Sequence, residues 1–268
     1  MVTSNTRRHT GLAVAWMMLA IACFCLLAIA SRELTANLGT LEILFWRSLL
    51  GFSLIVFLLW RACGLASVRM EPPILGWHLL RNSAHFGGQC AWLIAIAALP
   101  LAEVFALEFT TPLWAALMAA LFMGESLNRG RWMSLVLGLV GVLVILRPGA
   151  AVVNPASLIM LVGAIGFGVS VIATRRLTQL LHARPHTYLI ILFYMTLMQG
   201  MFSLAPIAGE LRLPGSADWL WLVVAATTAL AAHYCLSRAL SLADAAVVMP
   251  MDYLRLPMIM LLAWMIYG

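Results

Sequence analysis

Nine apolar segments fill this chain almost end to end, and that pattern leaves few folds open. They lie near residues 11–31, 40–60, 74–98, 101–123, 131–147, 154–174, 187–208, 218–237 and 245–267. A run of about 20 apolar residues crosses the hydrocarbon core of a bilayer as a helix. Backbone amides in hydrocarbon can bond only within their own segment, so each run is expected to be helical. The sequence lacks the short alternating segments of a β-barrel. Of its 268 residues 64% are hydrophobic and only 10% charged, whereas a soluble domain carries roughly a quarter charged residues. So small a charged fraction does not cover a water-facing surface. The expected fold class is all-α, a polytopic membrane helix bundle.

All 16 basic residues are arginine. With a cytoplasmic N-terminus, the inner linkers hold Arg7, Arg8, Arg61, Arg69, Arg129, Arg131, Arg175, Arg176, Arg184 and Arg238. The outer linkers hold Arg32, Arg147 and Arg212. This bias predicts that orientation, in a bacterial-type inner membrane. The net charge of +6 is therefore a topology signal and not a nucleic-acid signal. Arg7 and Arg8 before an apolar run ending AIA-SRE resemble a signal peptide. The run is long enough to span, and it belongs to the repeat below, so it is read as a retained first span. The five cysteines form no CxxC pair and no cluster with metal spacing, so they are expected to pack as small apolar groups.

The chain also resembles itself at a spacing of about 144 residues. ASREL at 30–34 pairs with ATRRL at 173–177, and Phe24 with Phe167. FWRSLLG at 45–51 pairs loosely with FYMTLMQ at 193–199. LEFTTP at 107–112 pairs with MDYLRLP at 251–257, which sets Glu108 over Asp252, and MAALFMG at 118–124 pairs with LLAWMIYG at 261–268. The unit holds five spans, an odd number, so two copies must lie inverted, as in alternating-access carriers. The expected domains are residues 1–150, spans one to five, and 151–268, spans six to nine. By the repeat a tenth span would follow near 275–291.

The stretch ALPLAEVFALEFTTPLWAALMAALFMGE, followed by RW and GLVGVLVILRPG, resembles the EamA-type module of the drug/metabolite transporter superfamily. ALSLADAAVVMPMDYLRLPMIMLLAWMIYG resembles the matching half. The resemblance covers nearly the whole chain. It implies ten helices, cytoplasmic termini and carriage of small metabolites, often outward. By the resemblance an acid that matches Glu125, and then a last helix, are expected to follow Gly268.

Charge at a bilayer centre costs at least about 2.5–3.5 kcal/mol, so ionisable residues within spans must face one another, a cavity or a substrate. Those residues are Glu42, Arg47, Arg81, His85, Glu108, Asp252 and Arg255. Glu108 lies roughly 10 Å from the outer face at the helical rise, and Asp252 at a similar depth from the inner face. Pro112 frees the carbonyl of Glu108, and Pro257 frees that of Tyr253, so both prolines are candidate hinges beside the acids. Glu108, Asp252 and His85 are candidates for proton coupling. Arg47 and Arg81 either pair with Glu42 or Glu108 or meet a substrate carboxylate. Arg255 is an i+3 partner for Asp252 or a substrate contact. His85, Gln89 and Trp92 continue one face of span three, and Tyr253 sits beside Asp252; all are candidate substrate-lining residues. Glu125 with Arg129, the small residues Ala115, Ala116, Ala119, Ala120, Gly138 and Gly141, and Trp60, Trp77, Trp132 and Trp219 are read as structural.

The leading functional expectation is a secondary transporter of small organic metabolites, amino-acid-like or otherwise polar or aromatic. It would work outward by alternating access, with proton coupling as a candidate drive, with lipid and a small-molecule substrate as partners, as a monomer or homodimer. No catalytic residue, cofactor, metal or nucleic acid is expected. An embedded enzyme would cluster its acid–base or metal groups near one face, and here the acids are scattered. A channel is the other alternative.

Overall fold

A computed structural model describes residues 2–62, 64–123, 154–184, 186–242 and 249–267, together with Met133, Val136 and Val140. Among the described residues the secondary structure is helical. The elements are α1 (Val2–Leu34), α2 (Thr40–Ala62), α3 (Pro72–Ala98), α4 (Leu101–Glu108), α5 (Thr111–Met123), α6 (Pro155–Leu180), α7 (Thr187–Ile207), α8 (Ser216–Leu242) and α9 (Arg255–Tyr267). Short 3-10 helices at Leu65–Val68 and Met249–Leu254 precede α3 and α9. Apart from Met133, Val136 and Val140, the expected fifth span, with Trp132, Gly138 and Gly141, lies outside the described residues, as do Glu125 and Arg129 before it.

Among the described residues six segments are long and apolar enough to cross a membrane: Gly11–Leu34, Thr40–Ala62, Leu101–Met118, Pro155–Leu180, Thr187–Ile207 and Ser216–Ala239. Helix α3 has 27 residues, about 40 Å at the helical rise, which is length enough. Its polar content keeps it out of that set. Leu79, Leu80 and Ile94 nonetheless leave an apolar side of α3 uncovered by protein, as a lipid-facing surface requires.

The fourth expected span is not one kinked helix. It divides into α4 and α5 at Phe109–Thr110. Pro112 has no N–H to give to the Glu108 carbonyl, and the chain instead turns around Thr110. Thr110 donates its hydroxyl to the Leu107 carbonyl at 2.7 Å. Its own carbonyl accepts from the Leu113 and Trp114 amides at 2.9 and 3.3 Å. Pro112 is thus the second residue of α5, where an absent N–H leaves no bond unmade. Pro257 is likewise the third residue of α9, behind a 3-10 helix. Both prolines begin helices; neither kinks a helix interior.

Residues Leu38–Arg212 form one compact unit. Within it α3 packs along α6, α2 along α7, and α4 and α5 against α6. Glycine sets the α3–α6 approach: a Cβ on Gly166 would lie 2.7 Å from the Ala84 carbonyl oxygen, and one on Gly163 would lie 2.7 Å from the Ala91 methyl. Small residues permit such backbone proximity in membranes. The other unit joins residues 1–37 to 213–268 and packs α1 along α8, with α9 also against α1.

Adjacent glycines on α3 make a controlled test. A Cβ on Gly88 would meet the Phe167 ring at 2.7 Å, whereas one on Gly87 meets nothing within 4 Å. Gly88→Ala is expected to cost about 1–3 kcal/mol by overpacking. Gly87→Ala is expected to be neutral or to gain up to about 1 kcal/mol. Thermal unfolding of both variants in detergent checks this; equal behaviour would contradict it.

Candidate functional site

His78, Arg81, Asn82, His85, Gln89 and Trp92 share one broad face of α3: Arg81, Asn82 and His85 lie three, four and seven residues after His78, and Gln89 and Trp92 lie four and seven after His85. All six are at least nine-tenths buried. Helices α6 and α7 pack against α3, and most of the partners come from them. Arg81 donates from Nε to Thr174 Oγ1 on α6 at 3.3 Å and from Nη1 to Asn82 Oδ1 at 2.7 Å. Asn82 Nδ2 donates to Met198 Sδ on α7 at 3.3 Å. His78 stacks on Tyr194 with ring centroids 4.2 Å apart, and the Tyr194 hydroxyl donates to the Val68 carbonyl at 2.7 Å. His85 lies 5.4 Å from the Phe167 ring on α6.

Arg47 enters this face from α2. Its Nη2 donates to Gln89 Oε1 on α3 and to Gln199 Oε1 on α7, the second at 3.4 Å. Pairing of Arg47 and Arg81 with Glu42 or Glu108 is not what the structure shows. Glu42 sits in the first turn of α2, where unbonded amides and the helix dipole favour an acid. There it accepts from the Gly39 and Arg212 amides at 2.8 and 3.3 Å. Glu108 accepts from Trp92 Nε1 at 2.8 Å. Among the described residues, neither buried arginine has an acidic partner. Sequence reasoning singled out neither Gln199 nor Asn82, Thr174 and His78. The signal was present for Gln199: Thr196, Gln199 and Ser203 share a face of α7 at helical spacing, and all are buried.

In the other unit Asp252 and Arg255 form the expected i+3 ion pair at 2.9 Å, with side chains 24% and 8% exposed. The Arg255 guanidinium lies over the Phe24 ring, 4.9 Å from its centroid. His233 meets Phe24 edge-on at 5.6 Å. Tyr253 is 56% exposed. Pro112 and Pro257 are exposed as well. Phe24 and Phe167 are repeat-matched positions, and each meets a histidine: Phe24 of α1 meets His233 of α8, and Phe167 of α6 meets His85 of α3. Among the described residues no group of three or more His, Cys, Asp or Glu side chains is placed to hold a metal ion.

Residues 11–147 match the EamA-like transporter family. A "Riboflavin transporter" of Rhizobium johnstonii is 34% identical over 258 residues, covering 94% of this chain and 82% of that protein. An "S-adenosylmethionine uptake transporter" of Rickettsia conorii is 26% identical, covering 95% and 84% of the two chains. A "Pseudopaline exporter" of Pseudomonas aeruginosa is 29% identical, covering 83% and 76%. A solved crystal structure shares the fold, with a TM-score of 0.68 at 20% identity over 94% of this chain and 88% of the other.

The Asp252–Arg255 pair is only partly exposed, so its two groups should be coupled energetically. A double-mutant cycle with Asp252→Asn and Arg255→Met is expected to return about 1.5–3 kcal/mol of interaction, the range for a hydrogen bond between charged groups. Additive effects in thermal unfolding would contradict the pairing.

Proposed function

The chain belongs to the EamA-like transporter family, and from that premise we propose that it carries a small polar or aromatic organic metabolite outward across an inner membrane by alternating access. The observation that carries this reading is the buried polar face of α3. Six polar or hydrogen-bonding side chains and a second helix's arginine are withheld from lipid and turned toward protein. Such residues are costly within a membrane and mark a solute path. The two histidine–phenylalanine pairs support the inverted repeat: the first helix of each sequence repeat meets the third helix of the other. An exchange of that kind is what a two-fold relation between halves requires.

Glu108 is the proposed proton-coupling group. It ends α4 at the break before α5, so a change in its charge acts where the chain is jointed. It also accepts from Trp92 on the polar face of α3, which ties it to the proposed solute path. Asp252 already carries its own guanidinium and is proposed to hold the start of α9 rather than to titrate. The pseudopaline exporter is named for the outward direction proposed here and the S-adenosylmethionine relative for uptake. The direction is therefore to be measured both ways.

The test is flux in proteoliposomes with riboflavin, S-adenosylmethionine and a panel of amino acids. Saturable counterflow of at least one solute is expected; unsaturable conductance would indicate a channel instead. Glu108→Gln is expected to abolish accumulation driven by a pH gradient while sparing exchange at equal concentrations. Unchanged gradient-driven accumulation in a folded Glu108→Gln protein would remove Glu108 from the coupling step.

A further inference from the structure

We propose that Arg47, Gln89 and Gln199 form a subsite for a carboxylate group of the transported molecule. This rests on the carrier reading and narrows its substrate class. Arg47 is 5% exposed and reaches from α2 between α3 and α7. Both glutamines turn their side-chain oxygens to the same guanidinium nitrogen. Their amide nitrogens therefore face elsewhere. Gln199 is 2% exposed, and its Nε2 has no hydrogen-bond partner among the described residues. Buried donors are nearly always satisfied, so an orphan donor beside a buried cation points to an acceptor that arrives with the ligand.

The charge balance selects the ligand. The cluster offers one positive charge, several N–H donors and, among the described residues, no acid. A single carboxylate neutralises it and presents two oxygens to a forked guanidinium. A phosphate dianion would leave excess negative charge in an apolar bundle. A neutral amide or flavin would leave the guanidinium unmatched. Arg81 does not complete a second half of the same pocket. It lies eight residues before Gln89 on α3, about 12 Å along the axis, and has Thr174 and Asn82 as its own partners. A purely structural Arg47, tying three helices together, would not distinguish an acid from its amide.

The test uses the full chain in lipid nanodiscs, read by thermal unfolding. Benzoate and hexanoate are each compared with the neutral amide, and with inorganic phosphate and riboflavin. The carboxylates are expected to raise the unfolding midpoint saturably, and the amides, phosphate and riboflavin are not. Gln199→Leu is expected to weaken carboxylate binding about tenfold, the size of one charge-assisted hydrogen bond. Arg47→Gln is expected to abolish it. Equal response to acid and amide, no response to either, or full binding by both variants overturns the subsite. The comparison on the unmodified protein stands whether or not the variants fold. Carboxylate stabilisation without any flux would keep the subsite and end the carrier reading. Saturable flux of neutral solutes, indifferent to carboxylates, would do the reverse.

Discussion

The cost of placing a guanidinium in hydrocarbon organises this molecule. At about 2.5–3.5 kcal/mol or more for each, Arg47 and Arg81 cannot face lipid in the middle of their helices. They are turned inward, and the surrounding helices are built to receive them. Helix α3 supplies the face, α6 supplies Thr174, and α7 supplies Gln199. Close approach of α3 to α6 needs glycine at 88, 163 and 166, so the packing and the polar interior are parts of one solution. The opposite side of α3, with Leu79, Leu80 and Ile94, is as apolar as its surroundings demand.

The two prolines serve a related end. A continuous helix satisfies its own amides, which is what lipid favours. The chain gives that up beside Glu108, where it rebuilds the missing bonds locally, and beside Asp252, where a 3-10 helix leads into α9. Thr110 does so at the first break through its hydroxyl and its carbonyl. A joint made this way leaves the flanking helices intact while their connection stays irregular. In a carrier such joints are where a change of state can be taken up.

Much of this was legible in the sequence because oil and charge are unforgiving. Apolar runs gave the all-helical membrane bundle, and the repeat set Phe24 over Phe167, each of which meets a histidine. The Asp252–Arg255 pair followed from i+3 spacing. Partner choice was harder to read. Charge complementarity suggested Arg47 and Arg81 with Glu42 or Glu108, but neutral amides and a hydroxyl occupy those places. Sequence spacing says which residues share a helix face, and it does not say which face meets which. Gln199 was therefore invisible as a partner of Arg47, although its stripe on α7 was readable. The division of the fourth span was missed for a different reason. A proline announces a broken hydrogen bond, but the turn that lets the Thr110 hydroxyl reach the Leu107 carbonyl and its own carbonyl start α5 depends on a rotamer and a backbone path that sequence does not record.

Cysteine accessibility along α3 tests the central claim most directly. In a chain with its native cysteines replaced, single cysteines would be placed at 78, 81, 85, 89 and 92, and for comparison at 79, 80 and 94. A membrane-impermeant thiosulfonate would be applied to each side of oriented vesicles. The account predicts reaction at the first set, slowed by a transported solute, and none at the second. Reaction at Leu79, Leu80 or Ile94 positions, with the polar face silent from both sides, would contradict it.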